Sequence, residues 1–273
     1  MGQPRTLKLT LAYDGSRYVG WQRQASGDSV QGLLENALAH FEGAPVHVHG
    51  AGRTDAGVHA LGQVASVRVH AAHDAHTLLR ALNAQLPRDV RVLRVDEVAD
   101  DFHARYSAVA KTYRYRIWNG PVGNPFEAPF AWHVREALDV EAMQAAAALV
   151  VGTHDFSAFQ STGSDVATSV RTIVRSDLRL VSAAGGALPR DGSTRGAAFV
   201  CEPVLVYEVA GDGFLRHMVR AIVGTLVEVG RGWRSPASMA ALVAGAPRAS
   251  AGATAPPAGL FLVAVDYDEA LAP

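Results

Sequence analysis

One carboxylate is set apart by its surroundings. Asp55 lies within Gly50-Ala51-Gly52-Arg53-Thr54-Asp55-Ala56-Gly57-Val58-His59-Ala60, which places three glycines in eight residues and Arg53 two positions ahead of the acid. Glycine lets a backbone turn sharply and be approached closely. A strand-like run, Val46–His49, leads in, and another, Gln63–His70, leads out. The acid is therefore predicted on a tight loop held by rigid neighbours, where a nucleophile or general base is well positioned. An ordinary Asp-x-Gly turn, with the carboxylate bonding backbone two residues on, has the same local pattern. Two cofactor loops do not fit. Gly50-x-Gly52 begins like a dinucleotide fingerprint, but Asp55 occupies the third glycine's place, and no Gly-Lys-Ser or Gly-Lys-Thr follows to make a P-loop.

A second set of residues suits nucleic acid. The stretch 102–118 holds Arg105, Lys111, Arg114 and Arg116 and no acid, with Phe102, Tyr106, Tyr113, Tyr115 and Trp118 interleaved. Positive charge among ring faces fits phosphates and unstacked bases. On a strand, Lys111, Tyr113 and Tyr115 share one face while Arg114 and Arg116 share the other. The plainer alternative is a strand with a solvated arginine face and core tyrosines. Further on, Arg216 and Arg220 are four apart in a segment of helical pattern, so they are expected to project together. His47 and His49 share a strand face, and His70, His73 and His76 are loosely spaced. No HExxH or similar motif accompanies them, so no metal site is expected.

The elements that must position these groups can be read from periodicity. Thr6–Tyr13 alternates as a half-buried strand, and residues 18–24 mix aromatic and polar groups as a loop. Ser29 is placed to cap a helix through Val30, Leu33, Leu34, Ala37, Leu38 and Phe41, closed by Gly43-Ala44-Pro45. Asp74 is placed to cap a second through Leu78, Leu79, Leu82 and Leu86, stopped by Pro87, and Val90–Val98 alternates again. The order is β-α-β-β-α-β, the ferredoxin-like arrangement. The second half repeats it more faintly. Strands are expected at Ala108–Trp118, Arg171–Val181, Ala197–Val209 and Gly259–Tyr267, and helices at Asp139–Val151 and Gly213–Val229. Residues 182–196 read as a flexible hairpin insertion. The fold class expected is α+β: two ferredoxin-like halves, 1–104 and 105–273, forming one extended, mainly antiparallel sheet with helices on one side and a central cleft. Clefts are the usual place for a site.

Composition narrows the function. The chain has 273 residues, 49% apolar and 19% charged, so a substantial core is available. Its single cysteine, Cys201, excludes a disulfide framework and a multi-cysteine zinc site, and fits a reducing cytosol. The N-terminus lacks an apolar signal core, and no apolar run of 18 residues occurs, so a soluble cytoplasmic protein is expected. The net charge of −1 argues against a globally basic nucleic-acid binder, which leaves a local basic cleft. Only Lys8 and Lys111 are lysines; arginine is the better residue for forked phosphate contacts, while a purely genomic bias, which the many alanines suggest, gives the same pattern.

Taken together, these motifs resemble the tRNA pseudouridine synthase A family. Gly52 to Ala60 is similar to its signature loop. Tyr13-Asp14-Gly15 with Gly20-Trp21-Gln22-Arg23-Gln24 resembles its N-terminal motif. Phe102-His103-Ala104-Arg105 and Lys111-Thr112-Tyr113-Arg114-Tyr115 resemble its middle motifs. His154 to Phe159, Phe214 with His217-Met218-Val219-Arg220, and Thr254-Ala255-Pro256 through Gly259-Leu260 resemble the remainder. The matches run in order from residue 7 to 267. Two departures stand out: the insertion at 182–196 looks long, and Arg216 stands where an aromatic residue or a His is usual.

The resemblance implies isomerisation of uridine to pseudouridine at positions 38, 39 and 40 of the tRNA anticodon stem-loop, by a homodimer that needs no cofactor. It implies Asp55 as the essential carboxylate, Tyr113 as the ring stacked on the target uracil, Arg220 as the cation paired with Asp55, and Arg53 as an RNA contact near the flipped nucleotide. An RNA-binding module without catalysis would use the basic-aromatic strand, but an isolated acid facing phosphates would repel its ligand. A glycoside hydrolase would want two carboxylates flanking the bond, and the loop offers one.

Overall fold

The computed structural model describes residues 3–70, 72–161, 167–182 and 203–268. The elements run β1 (Arg5–Tyr13), α1 (Val30–Glu42), β2 (His49–Gly50), β3 (His59–Val69), α2 (Ala75–Gln85) and β4 (Val90–Val98). They continue with β5 (Ala108–Asn119), β6 (Trp132–Val134), α3 (Val140–Ala148), β7 (Gly152–Asp155), β8 (Val170–Ser182), β9 (Pro203–Gly211), α4 (Met218–Gly230), α5 (Ser238–Val243) and β10 (Leu260–Tyr267). The chain is a mixed α+β protein whose strands pair mainly antiparallel. It divides into two compact units, residues 1–112 with 261–273 and residues 113–260. The closing strand thus belongs with the first unit, because Phe261 and Leu262 pair in parallel with His59 and Ala60 of β3.

In the first unit β1 lies between β4 and β3, antiparallel to both. Its alternation is physical: Leu7, Leu9 and Leu11 are fully buried, as are Val30 and Leu34 of α1 and Leu82 of α2. Burying a leucine side chain is worth about 1.5–3 kcal/mol. Both helices start where their caps predict. Ser29 Oγ accepts the Gly32 N–H at 3.2 Å, and Asp74 Oδ1 accepts the Thr77 N–H at 2.9 Å. One expectation is corrected. The strand expected over Val46–His49 shrinks to His49–Gly50. The Val48 backbone is taken by α1 instead: its N–H donates to Glu35 Oε1 at 3.2 Å, and its carbonyl accepts from Gln31 Nε2 at 3.0 Å.

In the second unit the strands follow β5-β9-β8-β7, with β6 parallel to β5. Helix α4 is buried on nearly every side, with Ala221, Ile222, Val223, Leu226 and Val227 all sealed from solvent. It begins five residues later than the pattern from Gly213 suggests. His217 takes a left-handed backbone, φ 62°, that breaks the helix before Met218. Its ring Nδ1 lies 2.5 Å from Ser161 Oγ. Arg216 therefore precedes the helix, so the helical i,i+4 spacing that made it expected to project with Arg220 does not apply to it. Cys201 and nearly all of the insertion expected at 182–196 fall outside the described residues. Among the described residues no helix is long and apolar enough to cross a membrane.

Candidate active site

The Asp55 loop is held from beneath by polar groups on strands. Tyr13, at the end of β1, and Gln63, on β3, are both buried. The Tyr13 hydroxyl lies 2.8 Å from Thr54 Oγ1. Gln63 Nε2 donates to the Gly52 carbonyl at 2.8 Å and to the Tyr13 oxygen at 3.4 Å. Burial pushes the Tyr13 phenol up to about 12, against the opposing bonds from Thr54 and Gln63, so it stays a neutral hydroxyl. Both neighbours of Arg53 in the loop, Gly52 and Thr54, are thus anchored, while Arg53 itself is exposed.

The loop is also clamped from the side. The Trp21 N–H donates to the Thr54 carbonyl at 3.0 Å, and Gly20 forms an antiparallel bridge with Asp55. The same segment ties to α1, since the Gln31 N–H donates to the Trp21 carbonyl at 3.0 Å. Trp21 packs so closely on Gly50 that a Cβ there would lie 2.4 Å from the indole ring, so only glycine fits. At the far end Gly57 turns the chain with φ 77°, and the Val58 N–H closes on the Asp55 carbonyl at 3.1 Å. His59 Nδ1 accepts the Gly15 N–H at 3.1 Å, which puts any ring proton on Nε2, and the ring stacks on Phe261 at 4.7 Å. Asp14 Oδ1 is equally near that nitrogen, but a nitrogen accepting from an N–H cannot also donate, so the pair is not an ion bridge. Asp55 itself is half-buried.

Tyr113 and Arg220 belong to the second unit. Tyr113 is only 8% exposed and meets Phe214 edge-on, with ring centres 4.9 Å apart. Arg220 lies in the first turn of α4. Its Nε donates to the Ala255 carbonyl at 2.8 Å, and its own carbonyl accepts the Ala255 N–H at 3.0 Å. The Thr254-Ala255-Pro256 segment thereby fixes the guanidinium stem. Tyr115 is tied to the same segment through its hydroxyl, 2.7 Å from the Pro256 carbonyl, and its burial raises its pKa strongly.

The basic face of β5 is less free than the sequence implies. Arg114 donates to Glu208 at 3.2 Å and Arg116 to Glu127 at 2.6 Å. Glu208 also takes Arg179. These acids lie outside the stretch 102–118, which is why that stretch reads as purely cationic. Lys111 is half-buried, and burial, helped by the charge of Arg105, lowers its pKa. Tyr13, Trp21 and Thr54 stand in motifs already noted and Gln63 at the start of an expected strand, but the sequence assigns none of them a part in supporting the loop. The sequence does not single out Gln63, which shares its run with the polar residues Ser66 and Arg68; only the fold shows its amide fully buried, where it must bond something.

The site thus presents a single carboxylate on a braced glycine loop, in a chain that also carries a strand rich in arginine and tyrosine. The chain belongs to the tRNA pseudouridine synthase A family: the model of the family described as tRNA pseudouridine synthase matches residues 10–107 and 146–268. It is 44% identical over 261 residues to tRNA pseudouridine synthase A of Syntrophotalea carbinolica, covering 96% of each chain. It is 46% identical over 267 residues to the protein of that name from Solidesulfovibrio magneticus, covering 96% of this chain and 90% of the other. The protein of that name from Moorella thermoacetica is 44% identical, with 96% and 99% covered.

Proposed function

We propose that this protein converts uridine to pseudouridine in tRNA, at positions 38, 39 and 40 of the anticodon stem-loop, with Asp55 as the single essential carboxylate. Membership of the family supports pseudouridine formation in tRNA. The anchoring of the loop at Asp55 carries the assignment of the acid: just before it, the Thr54 hydroxyl is bonded to Tyr13 of β1, the Gly52 carbonyl to Gln63 of β3 and the Thr54 carbonyl to the Trp21 N–H. An ordinary surface turn needs no such buried support.

The reaction breaks the C1′–N1 bond, turns the uracil and joins C5 to C1′. N1 gains a proton and C5 loses one, so nothing is oxidised or transferred and no cofactor is required. An ionised Asp55 acts at the ribose, as nucleophile or as general base. The target lies in a stem and is extruded first, at a cost of a few kcal/mol. Stacking on Tyr113 returns about 1–3 kcal/mol. In this reading Arg220 supplies the cation opposite the acid, and Arg53, exposed on the loop, meets the RNA nearby. Two ferredoxin-like halves, joined in one sheet with a cleft, and a cytoplasmic homodimer complete the proposal.

The test is to map pseudouridine in tRNA transcripts after incubation with the protein. Product at 38, 39 or 40 is the expected result. Product confined to other positions, or none, refutes the site assignment.

A further inference from the structure

The first unit carries a second surface that the reaction leaves unused. His47 and His49 come from the segment entering the Asp55 loop, and His103 and Tyr106 from the turn before β5. Their rings stand in file: His47 to His49 at 4.5 Å, His49 to His103 at 4.7 Å, and His103 to Tyr106 at 4.4 Å between centres. The Arg105 guanidinium lies 5.7 Å from the Tyr106 ring and closes the file. Tyr106 is 77% exposed, and the His47 side chain 67%. Beside the rings runs a groove of about 990 Å³, to which Arg68, His70 and His73 contribute and which no residue of the loop 51–60 lines.

The charges around it are mixed but separable. Glu35 lies 3.3 Å from His47 Nδ1 and also takes Arg23. Glu42 faces His70 at 3.6 Å, and Asp100 faces Arg68 at 3.9 Å. Burial, then the neighbouring His47 and His103, hold the His49 imidazole below its ordinary pKa, so at neutral pH it offers a ring face and one N–H. His103 Nδ1 accepts the N–H groups of Arg105 and Tyr106, which fixes its ring in the file. Core packing does not account for rings this exposed. Among the described residues no three His, Cys, Asp or Glu converge as metal ligands. Exposed flat rings and imidazole donors, with the Arg68 guanidinium in the groove and that of Arg105 against Tyr106 at the end of the file, match a polyanion that also has flat faces.

We propose that this file is a second RNA-contact surface, which takes backbone phosphate and a base face of the tRNA away from the isomerised nucleotide. The inference rests on tRNA being the substrate. The test compares the wild type with a variant carrying His47→Ala, His49→Ala and Tyr106→Ala, and with Tyr106→Ala alone, whose exposed position poses no folding risk. His103 is left in place because it holds its turn. Affinities are measured at one fixed salt concentration for a full-length tRNA transcript and for its isolated anticodon stem-loop. The expected result is tRNA binding weakened about ten-fold relative to stem-loop binding, near the lower range for losing a stacked base. Equal losses on both RNAs would place the rings at the reacting nucleotide and overturn the proposal. No loss on either, or a changed oligomeric state in sedimentation, would overturn it too. Product formation by the wild type is assayed separately, so an inactive protein that still shows the affinity difference would sink the enzyme reading and leave the second surface standing.

Discussion

The hydroxyl of Tyr13 lies 2.8 Å from that of Thr54, the residue immediately before Asp55. Strand β1 thereby reaches through the sheet to the one loop where the chemistry is proposed. Gln63 adds a bond to the same hydroxyl and another to Gly52. The consequence is measurable. Tyr13→Phe keeps the ring but leaves the Thr54 hydroxyl and the Gln63 amide short of a partner in a buried place, a loss of about 1–3 kcal/mol in urea unfolding. Turnover is expected to fall while KM for tRNA changes little, because the loop loses its support rather than its RNA contacts. A KM effect with unaltered kcat would show that this network does not position the acid.

Asp55→Asn removes the charge with almost no change of shape. Release of tritium from C5-labelled uridine in a tRNA transcript is expected to drop by about a thousandfold, within the usual range for a catalytic acid or base. Binding of the tRNA is expected to persist. Retained turnover would remove Asp55 from the mechanism.

Tyr113 offers a ring, an edge contact to Phe214 and a hydroxyl. If the ring is what matters, Tyr113→Phe keeps most activity and Tyr113→Leu loses about ten- to a hundredfold in kcat/KM, the value of one stacked base. Equal losses in the two variants would assign the role to the hydroxyl.

Glu208 tests stability rather than catalysis. Burial pushes its carboxyl up, but bonds from Arg179 and Arg114 outweigh that and hold its pKa below the ordinary value. A depressed folded pKa means stability that is present above the unfolded value, about 4.3, and lost as pH falls through the folded one. Glu208→Gln is therefore expected to lower the melting temperature at pH 7, with the gap to wild type closing as the pH falls below the unfolded value of about 4.3. A gap independent of pH would mean that the ion pairs contribute nothing.

Much of the scaffold was legible because its causes are local. Ser29 and Asp74 cap the helices they precede, since a side-chain oxygen two or three residues from a free N–H needs no distant help. Leu7, Leu9 and Leu11 announce a strand by alternation, and burial follows from it. The acid on its glycine-rich loop was equally visible, as residue types in a row.

What the residue order by itself determined, then, is the succession of most of the longer strands and helices, the caps of the first two helices, and a glycine-rich loop that carries a single acid. Tertiary structure decided the rest, because the deciding partners are far away along the chain. Gln31 and Glu35 claim the Val48 backbone and cut β2 to two residues. Glu208 meets Arg114 across 94 positions and turns an apparent phosphate contact into an ion pair. Tyr13 supports Thr54 across 41. A buried polar group must be bonded, but periodicity and spacing do not say to what; only the folded chain, by bringing remote donors and acceptors within about 3 Å, settles it.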